Sequence, residues 1–572
     1  MNRRRPLPAL LALAFLVFAA SLVALRAQPP DFDLLIANGR IVDGSGAPWF
    51  YGDVGIKGDR IAAVGQLKDA TATTRVNATG FVIAPGFIDM LGQSEFNVLV
   101  DGRAASKVTM GVTTEVTGEG ASIAPVTDRM MEDNRRSPWQ HFGIVQDFRT
   151  LGGYFERLET RSRPAINMAS FVGAGGLRNY VVGLDDRPAT PGDLEKMKQL
   201  VAQAMEEGAL GLSTSLQYVP DRFASTDEIV ELAKVARRYG GIYMTHQRSE
   251  SGALDASMDE VFRIAREAQV PAEIWHFKTA YQANWGRMPA ALARLEAARA
   301  QGLDVTADIY PYTRASNGLD ACLPLWVREG GADKELARLQ DPALRERIKR
   351  DMVDPNPGTW ENQWYGSGGG DGVMVSEVIN DDLKKYEGKT LTEIGAQMGK
   401  DPRDALMDLV IADHSNTQCI IAIMREDDVR AALAHRLVSI GTDSGAKAED
   451  GPLAGTKSHP RGWGSFARIL GKYVREEKLL TLEDAIRKMT SRPAARVGLL
   501  DRGLLRPGMA ADVTVFDPAT IHDVATFEDP NHYSVGVKYV SVNGTLVVSD
   551  GSITSARPGR PLRGPGYRAA LK

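Results

Sequence analysis

Two histidines at matching positions offer the clearest chemistry in this chain. His246 ends the run Ile-Tyr-Met-Thr-His, and His276 lies in Ile-Trp-His-Phe-Lys278. Both runs are short, apolar and rich in β-branched and aromatic residues, which predicts strands. Between them the pattern predicts a helix. Ser257 and Glu260 form an expected capping pair, Val261, Ile264, Ala265 and Ala268 an apolar stripe, and Pro271 a stop. The unit is βαβ with a histidine at the exit of each strand. In a parallel barrel all such exits face one mouth, where two imidazoles can share one metal ion. The bland reading is two unrelated core or surface histidines.

The elements that must hold these residues follow a regular rhythm. Residues 166–172 read as a strand. Thr190, Pro191 and Asp193 start a helix with Leu194, Met197, Val201, Ala204 and Met205 on one face, and Gly208 stops it. Residues 210–216 form the next expected strand, Ser225 and Glu228 cap the next helix, and residues 290–300 and 304–309 continue the alternation. Repeated units of this period predict an α/β fold with a parallel sheet, better closed as a (β/α)8 barrel than left open. Residues 314–400 break the rhythm with charged helices and the glycine-rich run 366–372. They read as an insertion, either a lid over the mouth or a peripheral decoration. Residues 419–423 and 437–440 are expected to resume the barrel, the latter leading into Gly441-Thr442-Asp443-Ser444. Thr481 and Asp484 cap a helix over 482–489.

The two chain ends read differently. Residues 34–37 and 40–42 look like strands joined by a tight turn at Asn38-Gly39, and Lys57-Gly58-Asp59 and Asn543-Gly544 repeat the device. Residues 33–82 and 501–563 are therefore expected to pair in one β-sandwich flanking a barrel over 83–500.

Composition is that of an ordinary globular chain: 572 residues, 43% hydrophobic and 24% charged. A net charge of −4 gives no electrostatic reason to expect nucleic acid. Two cysteines, Cys322 and Cys419, make neither a disulfide framework nor a zinc ribbon. Arg3, Arg4 and Arg5 precede an apolar run over 7–25, followed by Arg26-Ala27-Gln28. This predicts a secretory signal over 1–27, with an uncleaved anchor as the competing reading. In either case the folded part is expected outside the cytoplasm, periplasmic or secreted.

A set of short motifs, in order along residues 33–563, resembles the amidohydrolase superfamily and within it the D-aminoacylases. They are Ala84-Pro85-Gly86-Phe87-Ile88-Asp89, Gly111-Val112-Thr113-Thr114, Met244-Thr245-His246, His276-Phe277-Lys278 with Asn284-Trp285-Gly286, Tyr310-Pro311-Tyr312, Gly441-Thr442-Asp443, His459-Pro460-Arg461, and Gly508-Met509-Ala510-Ala511-Asp512. Any one is weak, while the ordered set is specific. The resemblance implies a metal-dependent (β/α)8 barrel that hydrolyses amide bonds in N-acyl-D-amino acids or related small substrates. It implies that Asp443 takes a proton from the attacking water and passes it to the leaving nitrogen. It implies that a lysine, a tyrosine and an arginine surround the substrate carboxylate, for which Lys278, Tyr310 or Tyr312, and Arg461 stand at the matching motifs.

Two departures bear on the metal. Where the superfamily has His-x-His, this chain has Leu91, Gly92 and Gln93, and leucine cannot ligate. Where D-aminoacylases have a cysteine in Thr-Gly-x-Cys-Gly, it reads Thr117-Gly118-Glu119-Gly120-Ala121-Ser122. A carboxylate is an acceptable zinc ligand, and two histidines with one carboxylate form a known catalytic set. The expectation is one Zn²⁺ per chain held by Glu119, His246 and His276. Arg178 is a further, weak substrate-binding candidate. The rival expectations are a barrel acting on a dipeptide or cyclic amide, and a catalytically silent barrel that binds a small ligand.

Overall fold

The computed structural model describes residues 30–135, 138–355, 358 and 360–569. The expected export segment, residues 1–27, lies outside them. Among the described residues no helix is long and apolar enough to cross a membrane.

Eight parallel strands form the barrel. In order they are Phe87–Asp89, Val112–Thr117, a run broken at Phe171 into Asn167–Ser170 and Val172–Gly173, Gly211–Ser215, Ile242–His246, Ala272–Ile274, Val305–Ile309 and Val438–Ile440. Each pairs with the next in sequence, and the seventh pairs directly with the eighth through Ala307 and Val438. The ring closes between the first and eighth. Met90 N donates to Ile440 O at 3.3 Å, Asp443 N donates to Leu91 O at 2.7 Å, and Gly92 bridges Ser444. The second, fifth and seventh strands are buried along their whole length, as expected where helices cover the outer face and side chains fill the inside.

Local chemistry sets the helices. Thr190 and Asp193 form a reciprocal capping box on Pro191–Glu207, which ends at Gly208 with φ +115°. Ser225 caps Thr226–Arg238, and Thr481 caps Leu482–Met489. The helix between the two histidines departs from expectation. It spans Leu254–Glu267, and Ser257 is a buried residue inside it rather than its cap.

Both chain ends contribute to one nine-stranded sheet, joined where Val82–Pro85 pairs antiparallel with Val513–Phe516. Asn543-Gly544 makes the tight turn between Val537–Val542 and Thr545–Ser549, with φ of +46° and +81°. Asn38-Gly39 does not. Phe32–Ile41 is one long strand, and the positive φ of Asn38 serves a bulge between Ile36 and Gly39 against the neighbouring strand. The bulge lets the strand pair on one edge with both Ala72–Asn77 and Val82–Pro85.

The insertion is longer than expected. Residues 419–423 do not belong to the barrel. Gln418–Ala422 is the central strand of a separate antiparallel sheet, flanked by Arg314–Gly318 and Val373–Val375. With the helices of 319–412 it encloses its own core, which includes Leu339, Ile348, Leu406 and both cysteines as buried free thiols. A short apolar β-branched run fits a barrel strand or an insertion strand equally well.

Candidate metal centre

Glu119, His246 and His276 meet at the barrel mouth. Glu119 Oε1 lies 3.1 Å from His246 Nδ1 and 3.2 Å from His276 Nε2. The three ligand atoms all fall within 4.8 Å of one another, and the imidazole rings meet edge to face with centroids 4.3 Å apart. Zinc bonds of about 2.0–2.2 Å in tetrahedral geometry put ligand atoms roughly 3.4 Å apart, so this donor set fits such an ion. His276 sits two residues past the sixth strand with φ +36°, and its backbone N–H donates to Asp308 Oδ1 at 2.8 Å. That bond holds the turn that aims the ring inward.

The neighbours orient the donors. Gln217 Oε1 lies 2.6 Å from His246 Nε2, and Gln93 Nε2 donates to Glu119 Oε2 at 2.6 Å. Glu250, which the sequence reading did not single out, lies 3.0 Å from His276 Nδ1 and 2.7 Å from Lys278 Nζ. Its signal was its place four residues beyond His246, just past a strand exit. Burial pushes the Glu119 carboxyl up, but hydrogen bonds from His246 and His276 prevail and hold it well below the usual range. For His276, burial and Lys278 push downward, while Glu250, Asp443 and Glu119 prevail and raise it to about 10. The pocket therefore favours positive charge between these carboxylates, which a dication also supplies.

Asp443 follows the eighth strand with φ +49° and lines the same cavity of about 450 Å³. Arg461 Nη1 lies 2.7 Å from Asp443 Oδ2, and the guanidinium stacks 4.6 Å from the Tyr310 ring centroid. Arg461 Nε and the Tyr310 hydroxyl are buried with no hydrogen-bond partner among the described residues. Lys278 lies 5.6 Å from the same ring. Tyr312 is not part of this group. Its hydroxyl donates to Asp523 Oδ2 at 3.2 Å and its ring lies under Arg468. Two residues apart, the tyrosines would share a face of a straight strand, but the strand ends at Ile309 and the chain bends at Pro311 between them. Arg178 is also elsewhere, buried in an ion pair with Glu228 at 2.7 Å.

The positions that lack His-x-His are filled in another way. Leu91 is fully buried. Below it, Lys107 Nζ donates to Asp89 Oδ2 at 2.7 Å, Thr442 Oγ1 at 2.8 Å and Ser444 O at 2.7 Å. Glu115 accepts from Ser94 N and Oγ at 2.9 and 2.8 Å. A Cβ at position 92 would lie 1.9 Å from Glu115 Oε1, so glycine is required there. Lys107 thus grips the residues on both sides of Asp443.

Comparison with known proteins agrees with this geometry. Residues 74–548 match the model of an amidohydrolase family, Amidohydro_3. The chain is 37% identical to a D-aminoacylase of Alcaligenes xylosoxydans xylosoxydans, over 94% of this chain and 99% of that one. It is 36% identical to an N-acyl-D-glutamate deacylase of the same organism, over 93% and 96%. Among solved structures it is similar to a D-aminoacylase with a binuclear metal centre, described as activated by one metal and attenuated by the second. That match has a TM-score of 0.77 at 34% identity and covers 93% of this chain and 100% of that one. An N-acyl-D-glutamate deacylase of Bordetella bronchiseptica, bound to zinc and a phosphonate mimic of the tetrahedral intermediate, superposes with a TM-score of 0.76 at 32% identity, with the same coverage. The chain belongs to the amidohydrolase family.

Proposed function

We propose that this chain is a single-zinc hydrolase that removes the acyl group from N-acyl-D-amino acids. The observation that carries the reading is Glu119 Oε1 set between two imidazole nitrogens at 3.1 and 3.2 Å. Glu119, His246 and His276 would hold the ion, which when bound lowers the pKa of water and polarises the substrate carbonyl. Asp443, held by Arg461, accepts the proton of the attacking water and delivers it to the departing nitrogen. The open donors of Arg461 Nε and the Tyr310 hydroxyl, with Lys278 on the same ring, suit a substrate carboxylate. The D-amino-acid preference rests on the relatives, which deacylate such substrates. An exported location rests on Arg3 to Arg5 and the apolar run over 7–25. It is checked by sequencing the N-terminus of protein recovered from outside the cytoplasm, where a start near Gln28 is expected.

The test is metal content and turnover of N-acetyl-D-amino acids in the wild type, Glu119→Ala, His246→Ala and Asp443→Asn. One zinc per chain is expected in the wild type and Asp443→Asn, and none in the other two. Asp443→Asn should lose roughly 10²–10⁴ in kcat. Wild-type protein that takes up no zinc would return the molecule to the silent-barrel reading.

A further inference from the structure

We infer that Glu361, carried by the insertion, is a positioning residue of the metal centre. It acts through Gln217 on His246, and the inference rests on the zinc reading above. Glu361 Oε2 accepts from Gln217 Nε2 at 3.1 Å, and the other end of that amide, Oε1, faces His246 Nε2 at 2.6 Å. A glutamine side chain is near-symmetric and could present either end to the imidazole. A carboxylate only accepts, so Glu361 obliges the NH₂ end to face it and the carbonyl end to face His246. An acceptor opposite Nε2 requires that nitrogen to carry the proton. With Nε2 protonated, the neutral imidazole that holds a metal would do so through Nδ1, the atom that lies 3.1 Å from Glu119 Oε1 and otherwise hydrogen-bonds that carboxylate. A carboxylate from outside the barrel therefore selects the ligating tautomer of a barrel histidine. Partners at this remove from a metal orient its ligands and raise their affinity.

The second oxygen of Glu361 reaches the other imidazole by a different path. Glu361 Oε1 accepts from Glu250 N at 2.6 Å, Ser251 N at 2.9 Å, and the hydroxyls of Ser249 and Ser251 at 2.5 and 2.8 Å. This pins the loop just past His246, and so the Glu250 carboxylate that lies 3.0 Å from His276 Nδ1. One side chain of the insertion braces both histidines. The insertion is then a structural part of the metal centre rather than a decoration.

Zinc affinity by chelator competition tests this, together with the visible spectrum of the cobalt-loaded protein and the melting temperature of the metal-free form. Gln217→Leu should weaken zinc binding by roughly ten- to a hundred-fold and alter the cobalt spectrum. Glu361→Gln can turn the Gln217 amide round and should weaken binding in the same direction. Its effect should shrink in the Gln217→Leu background, because the two act through one path. If Glu361→Gln lowers the metal-free melting temperature yet leaves zinc affinity and the cobalt spectrum unchanged, Glu361 is a loop clasp and the inference fails. Unchanged affinity in Gln217→Leu overturns it even if the Glu361 variant does not fold. A wild type that binds no zinc overturns the metal reading and this inference with it, a result distinct from either.

Discussion

The two sides of the barrel mouth have been built by opposite means. On one side, the exits of the second, fifth and sixth strands present Glu119, His246 and His276 to a common point. On the other, the exit of the first strand carries Leu91, Gly92 and Gln93, and the space beneath is taken by Lys107, Asp89, Glu115 and Thr442. One side leaves donors for a cation from outside, while the other brings its own cation, the Lys107 ammonium, with its partners satisfied internally. Gln93 shows how the sides join. It is no strong ligand, yet its amide fixes Glu119 Oε2 and so turns Oε1 toward the imidazoles. The comparison teaches that a buried ion network fills the side where the family pattern has His-x-His, while the opposite side keeps a donor triad able to hold a metal, with Gln93 as its support.

Breaking the ion network should have the largest effect. Lys107→Met leaves Asp89 and Glu115 buried without their cation, and loss of one partner of a buried pair costs about 3–5 kcal/mol. Burial already pushes the Glu115 carboxyl up, and Asp89 adds to the push, so that despite Lys107 it stands at about 7. Urea denaturation of the metal-free protein should show the loss. A variant as stable as the wild type would mean that the network is not what closes the first strand against the eighth.

A smaller effect is expected from Gln93→Leu. It removes the 2.6 Å bond to Glu119 Oε2 without touching a donor of the triad. Zinc affinity should fall roughly ten- to a hundred-fold, with stability of the metal-free protein little changed. Unchanged affinity would separate the two sides of the mouth entirely and leave Glu119 oriented by the histidines alone.

Much of this was legible in the sequence because the signals are local. Alternation of strand and helix, the caps at Thr190, Ser225 and Thr481, and the histidines at strand exits each depend on residues close in the chain. The ordered motifs supplied the barrel and pointed to Asp443 and Arg461, which line one cavity, and to Tyr310, which is buried against the Arg461 guanidinium. What escaped depends on distance. Glu250 has only its place four residues past His246 to suggest it, and Glu361 gains meaning only when the insertion folds back on Gln217 and the loop after His246, which no spacing announces. Residues 419–423 and the Asn38-Gly39 pair were misread because a short apolar run and a positive φ each serve two structures. Tyr310 and Tyr312 could not be told apart by motif, since two residues apart they would share a face of a straight strand, and only the bend at Pro311, which no motif announces, separates them.

The smallest expected effect concerns Asp221, in the cavity wall near Gly120 on the ligand side. It is buried, accepts from Ser215 N at 2.6 Å through Oδ2, and has no partner for Oδ1 among the described residues. Burial is the main cause that pushes its carboxyl up to about 7, and Glu228 adds to it against the Ser215 bond, Arg248 and Arg178. An unfolded aspartate titrates near 3.9. Between those values the folded state holds the proton and the unfolded state does not, so this group lowers stability as pH rises from about 4 to 7. Asp221→Asn stays neutral throughout, and its carbonyl can still accept from Ser215. Urea denaturation at pH 5 and pH 7.5 should show that the variant loses less stability across that interval than the wild type, by an amount below the cost of Lys107→Met. Equal losses would mean that water reaches Asp221, and that the ligand side is wetter and less closed than the sealed side opposite it.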